Sequence, residues 1–397
     1  MRDFRARAFI KIAFVLLVVG LALSCSRSLP LGKDFKNAIF YPGNLDAVVV
    51  WRFQLTDREP MDYKPVEDGL VGVSGNNLYV GGRSKILYKL DRKSGKVLKQ
   101  RKMNQELFSQ PVANDKFLYV GTPSGKLFAL DKHNLEDIWV YDAKSEILSA
   151  PIFDGENLYF ITQLDTLTAL KADTGEFLWE HKEPYHGNLA IRKRAEPLIV
   201  GDRLFQGFTN GTIAAFNKVT GDKLWQKSLG KGKRFDDVNA TAKYHNGYIY
   251  TASFDNGVYC LDAETGLRHW QNEIISASTP IIFENKLYVT ASETGFYCLN
   301  LDTGVTEWKM GFKALFMDHL EGGLSEPVVY KNDYIIFSAS GTGLYFIDTR
   351  NKRAITRFTP GNGITSKPTT VGNMIYTLSN GGYVYAISLG QKKKSAN

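Results

Sequence analysis

All six tryptophans of the chain fall at one position of a single repeating unit. Four of them stand four residues beyond the glycine of a Thr-Gly pair: Trp179 after Gly175, Trp225 after Gly221, Trp270 after Gly266 and Trp308 after Gly304. Trp139 holds the same place in a unit whose glycine has become Leu135, and Trp51 stands near the start of the chain with no unit before it. A period of about 40 residues is the size of one four-stranded propeller blade, which can bury its apolar faces only by stacking on copies of itself.

Each unit carries the same phrases. The clearest copy runs Ser109-Gln110-Pro111-Val112, then Phe117 to Gly121, Lys126 to Asp131, and Asp137-Ile138-Trp139. Short runs of β-branched, aromatic and aliphatic residues broken by Gly, Asn and Asp read as strands joined by tight turns. The second strand recurs at Tyr79, Tyr119, Tyr159, Phe205, Tyr250, Tyr288, Ile336 and Tyr376, in steps of 40, 40, 46, 45, 38, 48 and 40 residues, which makes eight copies. The Asp-x-x-Thr-Gly segment supplies the hairpin between third and fourth strands, with Gly at the positive φ the turn requires. The Trp is expected to begin or end the outer strand and to pack against the neighbouring blade. Lys99 and Thr356 take its place in the first and seventh copies.

The eighth copy has no fourth strand of its own. After Tyr383 to Ile387 comes a polar tail with Lys392, Lys393 and Lys394, whereas Ala47 to Phe53 has a strand pattern and contains the orphan Trp51. The N-terminal strand is therefore expected to complete the last blade, so that no sheet edge is left open between the two chain ends. The reading is all-β: one eight-bladed β-propeller of four-stranded blades over residues 47–390.

The first 24 residues have the pattern of an export signal, with Arg2, Arg5, Arg7 and Lys11 ahead of an apolar run from Ile12 to Leu23. That run is shorter than the roughly 20 residues a spanning helix needs. Ala22-Leu23-Ser24-Cys25 resembles a bacterial lipobox, which implies lipidation of Cys25, a tether over residues 25–46 and, with Ser26 following, sorting to the outer membrane. Residues 391–397 form a basic tail. Of the formal net charge of +8, this leader contributes +3, and the modest remainder shows no basic stripe with interleaved aromatics of the kind nucleic-acid proteins carry. Cys260 and Cys298 occupy equivalent places in adjacent units, where other copies have Ala129, Ala169 or Ala386, and read as buried thiols in a small apolar slot on an inner strand. The separation of neighbouring blades argues against a bridge between them.

No constellation for catalysis stands out. His133, His181, His186, His245, His269 and His319 share no motif, and there is no nucleophile elbow, phosphate-cradling loop or calcium loop. Neither a cofactor nor a metal is expected, and the chain is not read as an enzyme.

The phrase from Ala169 to Trp179 resembles the tryptophan-docking repeat of the quinoprotein family. That repeat is shared by dehydrogenases carrying pyrroloquinoline quinone and by cofactor-free lipoproteins of the BamB type. The dehydrogenases characteristically use adjacent cysteines and a Trp stacked on the quinone, which this chain lacks. The BamB resemblance sharpens at the two consecutive long steps. There Leu189-Ala190-Ile191-Arg192 resembles the Leu-x-Leu-Arg phrase by which that family docks on the barrel insertase BamA. Arg234 to Thr241 resembles its Arg-x-x-Asp-Val-Asp-x-Thr phrase. The resemblance implies Leu189 and Ile191 as apolar anchors, Arg192 and Asp237 as charged partners, and Asn239 where the family has Asp. Leu and Ile beside Arg is also the composition of an interface anchor, although Leu189 and Ile191 could instead begin an inner strand. The implied role is an outer-membrane lipoprotein scaffold on the periplasmic face, a monomeric propeller within a complex, assisting β-barrel assembly. Two other readings stay open: a quinone-type oxidoreductase or other small-ligand propeller, and an envelope module for a different protein partner.

Overall fold

The computed structural model describes residues 45–56, 66–185, 194–230, 237–275, 277–311, 315 and 323–391. These form eight four-stranded antiparallel sheets. Seven are built from consecutive strands; in the second blade these are Val112–Ala113, Phe117–Gly121, Lys126–Asp131 and Asp137–Asp142. The eighth takes Thr369–Val371, Met374–Leu378 and Tyr383–Gln391 from the C-terminal part and Leu45–Gln54 from the N-terminal part. The closing pair runs in register from Leu45 opposite Gln391 to Gln54 opposite Tyr383, with one bulge between Val49 and Trp51. The expected closure is what the fold shows, with the strand starting two residues earlier than the pattern indicated.

Middle strands are buried on both faces, as in Asn157–Ile161 and Thr166–Lys171, because each blade is covered by a neighbour on either side. Eight apolar clusters result, one at each junction of successive blades. The closing junction is an ordinary member of the set: Trp51, Phe53, Tyr376 and Leu378 of blade 8 pack with Val71, Leu78 and Leu90 of blade 1. Along the outer rim the closing strand exposes Val48, Val49 and Val50.

The tryptophans sit inside the outer strands rather than at their ends, since Trp179 is the third residue of Phe177–Lys182. Each is paired across the sheet with a small residue of the third strand, as Ala129 with Trp139, Ala169 with Trp179 and Cys260 with Trp270. The slot that holds Cys260 and Cys298 is therefore on the third strand, not the inner one. It is small because an indole lies beside it. Both thiols are free and buried, and burial pushes them up to about 12 and about 11.

The indole reaches the next blade's turn. A Cβ built on Gly175, Gly221 or Gly266 would lie within 2.7 Å of the ring of Trp139, Trp179 or Trp225 respectively. These glycines serve twice, at positive φ and as the floor under a ring. The indole Nε1–H donates to a carbonyl three residues before that glycine, and in several blades the second-strand tyrosine hydroxyl donates to the same oxygen. Ala172 O accepts from Trp139 at 3.0 Å and Tyr119 at 3.1 Å; Lys218 O accepts from Trp179 and Tyr159, both at 3.1 Å.

The first junction keeps this plan with other residues. Lys99 stands opposite Lys89, whose Nζ donates to Lys132 O at 3.0 Å beside the Tyr79 hydroxyl at 3.2 Å. With no indole to accommodate, the next turn carries Leu135 in place of glycine, at φ 63° and buried in the junction's core. The departure at Lys99 and the departure at Leu135 are two halves of one exchange.

Candidate docking links and axial cavity

The two long steps flank blade 4, and their stems hang from its central turn, residues 208–212. In blades 1 and 2 the link to the next blade is pinned by two backbone amides four residues apart, Met103 and Leu107, then Ala143 and Ile147. After blade 4 the corresponding amides are Leu229, donating to Gly211 O at 2.8 Å, and Val238, donating to Phe208 O at 3.0 Å. The same two anchors are here nine residues apart rather than four.

The link before blade 4 has stems of its own on the same turn. Glu183 is buried and accepts hydrogen bonds from His181 at 2.7 Å, Asn210 and Gln226 at 3.1 Å, and Lys223 at 3.3 Å. Burial alone would raise its carboxyl, but the bonds from His181, Gln226 and Lys223 hold it below the ordinary range. Beyond the link, Arg194 is buried, donates to Gln163 O at 2.9 Å and lies 3.5 Å from Asp165. Burial raises Asp165 despite its bonds from the amide and hydroxyl of Thr209 and the charge of Arg194.

Of the residues expected at a docking site, Leu189, Ile191 and Arg192 lie outside the described residues, as does Cys25. Asp237 is only 2% exposed, and its carbonyl accepts from Phe254 at 3.0 Å, so it belongs to the stem of the second link. Asn239 faces inward and lines a cavity on the propeller axis. The longest step, of 48 residues, leads into blade 7, and its Leu315 is fully buried.

The axial cavity measures about 440 Å³ and takes its lining from the segments leading into all eight blades. Side-chain hydrogen bonds pass from blade to blade around it. The Ser109 hydroxyl donates to Ser149 O at 2.9 Å, that of Ser149 to Arg194 O at 2.8 Å, and that of Ser338 to Ser366 O at 2.6 Å. Glu196, Glu326 and Lys367 each stand immediately before a proline and line this cavity. Lys367 Nζ lies 2.7 Å from Glu326 Oε1; burial works against its charge, but Glu326 and then Glu196 outweigh it and raise the ammonium. Near the seam of blades 8 and 1, Glu67 is 2% exposed and is pushed up to about 7 by burial, against hydrogen bonds from the Arg83 and Gly69 amides.

This lining does not fit pyrroloquinoline quinone, an anionic tricarboxylate. It offers Asp68, Glu196 and Glu326 against one lysine already paired, and no tryptophan. Among the described residues no three of His, Cys, Asp and Glu gather as metal ligands, and no helix is long and apolar enough to cross a membrane.

A family model described as outer membrane protein assembly factor BamB matches residues 45–120 and 100–310. The BamB of Legionella pneumophila is 24% identical over 213 residues, covering 51% of this chain and 53% of that protein. The Escherichia coli K12 protein of the same name is 22% identical over 208 residues, 51% of each. The chain thus spans about half the length of these curated relatives. Among solved structures, BamB from Moraxella catarrhalis superposes with a TM-score of 0.74 at 21% identity, covering 86% of this chain and all of that one. Quinohemoprotein alcohol dehydrogenase from Comamonas testosteroni gives 0.68 at 12% identity, covering 89% and 78%. At these identities the structural likeness speaks for the fold.

Proposed function

The chain belongs to the BamB family of outer membrane protein assembly factors, and from that premise we propose that it is a non-catalytic scaffold in the assembly of β-barrel outer-membrane proteins. The observation that carries this reading is the pair of extended links on either side of blade 4, both stemmed on the single turn at residues 208–212. The described stems of both links are fastened to that one turn, and a preorganised base loses less entropy on binding. The docking partner is a periplasmic domain of a BamA-like insertase, with Leu189 and Ile191 as apolar anchors and Arg192 as the charged contact. Asp237, which is buried, and Asn239, which lines the axial cavity, position the second link from its base. Lipidation at Cys25 holds the propeller at the periplasmic face of the outer membrane, where tethering raises its effective concentration near the partner and modest affinity suffices.

The test is capture of the insertase from detergent-solubilised membranes by the wild-type chain and by a Leu189→Ala, Ile191→Ala, Arg192→Ala variant, both matched in near-UV circular dichroism. Recovery by the wild type and loss in the variant is expected. Absence of the insertase from both captures, or equal recovery by both, removes the docking role.

A further inference from the structure

The positive charge of the chain is concentrated in one blade. Between Arg83 and Lys102 nine basic residues stand against a single acid, Asp91, a net of +8 that equals the net charge of the whole sequence. Arg83, Lys85, Lys93, Lys96, Lys99 and Lys102 are exposed. Arg101 is ion-paired with Asp137 at 2.8 Å, whereas Lys85, Lys96, Lys99 and Lys102 make no ion pair among the described residues. Four of these basic residues stand in or just before the outer strand Val97–Lys102, which also exposes Val97 and Leu98. The closing strand of blade 8 continues this rim with its exposed Val48, Val49 and Val50. The two strands are neighbours, because Trp51 Nε1 donates to Arg92 O at 3.1 Å, in the turn that leads to Lys93 and Lys96.

We propose that the rim made by the outer strands of blades 1 and 8 rests on a bilayer surface carrying anionic phospholipid. The inference rests on the reading of Cys25 as a lipid anchor, which supplies the bilayer. Lysines held within a Debye length of an anionic surface are attracted to its phosphates, and their contributions accumulate along a strip. Exposed valine and leucine beside them suit the boundary between headgroups and acyl chains. A single-stranded nucleic acid would instead call for exposed aromatic rings on which bases stack, and this strip offers aliphatic side chains. Leu45, where the closing strand begins, stands twenty residues after Cys25. A chain of that length spans up to about 70 Å, so an anchor at Cys25 does not by itself fix which edge of the ring meets the bilayer. The basic rim supplies that choice. Blade 4 lies four blades from blade 8 around the ring, so a propeller resting on this rim carries the stems of both long links on its far side.

The experiment is partition of the full chain onto preformed vesicles, of phosphatidylcholine alone or with a third of it replaced by phosphatidylglycerol. The wild type should prefer the anionic vesicles, and high salt should abolish the preference. A Lys93→Gln, Lys96→Gln, Lys102→Gln variant should lose on the order of a hundredfold of that excess affinity, at roughly fivefold per lysine. A Lys182→Gln, Lys309→Gln, Lys352→Gln variant removes the same charge from exposed positions in blades 3, 6 and 7 and should keep the preference. All three proteins are matched in near-UV circular dichroism, and all share the leader and Cys25, so what those contribute is common to every arm. Equal partition of the wild type onto both vesicles, a retained preference in the blade 1 variant, or equal losses in the two variants each overturns the proposal. Retention on immobilised polyglutamate without preference for anionic vesicles also overturns it, and assigns the rim to an acidic polypeptide. The mass of the chain extracted from membranes reads lipidation at Cys25 separately, so failure of the anchor and failure of the basic rim give different results.

Discussion

The ring of Trp51 lies over Gly95, so close that a Cβ built on the glycine would meet ring carbon Cε3 at 2.6 Å. The strand that completes blade 8 thereby makes the same contact with blade 1 that Trp139 makes with Gly175. Gly95 also stands at φ 71°. Gly95→Ala therefore meets both a steric and a backbone cost, together about 2–4 kcal/mol. Urea unfolding should show this loss, and a midpoint equal to wild type would mean that the seam does not depend on the contact.

The exchange at the first junction makes a coupled prediction. Lys99→Trp alone has to fit an indole where Leu135 fills the core, and Leu135→Gly alone leaves that core short of a side chain. The double variant restores the indole and the glycine beneath it, with Lys89 still opposite in place of the small residue of the other junctions. A double-mutant cycle should give a favourable coupling of roughly 1–3 kcal/mol. Additive effects would sink the idea that the two departures compensate each other.

Arg194 and Asp165 are both buried at the stem of the first link. Removing the guanidinium strands a buried carboxylate, so Arg194→Ala should destabilise the protein by about 3–5 kcal/mol. Adding Asp165→Asn removes the stranded charge and should return much of the loss. If the double variant is no more stable than Arg194→Ala in thermal unfolding, the pair is not the anchor described.

Glu67 sets a pH dependence. Its folded value near 7 lies above the ordinary 4.5, so between those two values the folded state keeps a proton that the unfolded chain releases. Its contribution is fully present below about pH 4.5 and declines as pH rises to about 7, by up to about 3 kcal/mol. Glu67→Gln should accordingly gain stability over wild type at pH 8 and lose that advantage at pH 5. The comparison is read from unfolding midpoints at the two values; an advantage independent of pH contradicts the assignment.

The ring, its eight blades and its closure were legible because Trp, Gly and the alternating strands recur at fixed spacing. What the spacing concealed was the partner of each Trp. The glycine four residues before Trp179 lies in the same hairpin, but the glycine under its ring is Gly221 of the next unit. In the sequence Lys99 and Leu135 stand as separate departures for that reason. The axial cavity was hidden because its residues are scattered over the length of the chain. A usable signal existed in the residue before each proline, which changes charge among Glu196, Glu326 and Lys367 within an otherwise constant phrase. The long links were visible as steps of 46 and 45 residues, whereas their stems are backbone amides that leave no mark on a sequence.

Sealing the ring with its first strand also imposes an order in time. Leu45–Gln54 is made before any blade exists, and its partner Tyr383–Gln391 is made roughly 330 residues later. At ~5–20 residues per second that interval lasts tens of seconds. Throughout it, Val48, Val49, Val50 and the Trp51 ring belong to a strand with no neighbour, the kind of segment that invites pairing with other chains. The part of the molecule that finishes the fold is the part that has waited longest for a partner, and it is there that a helper of folding has most to protect.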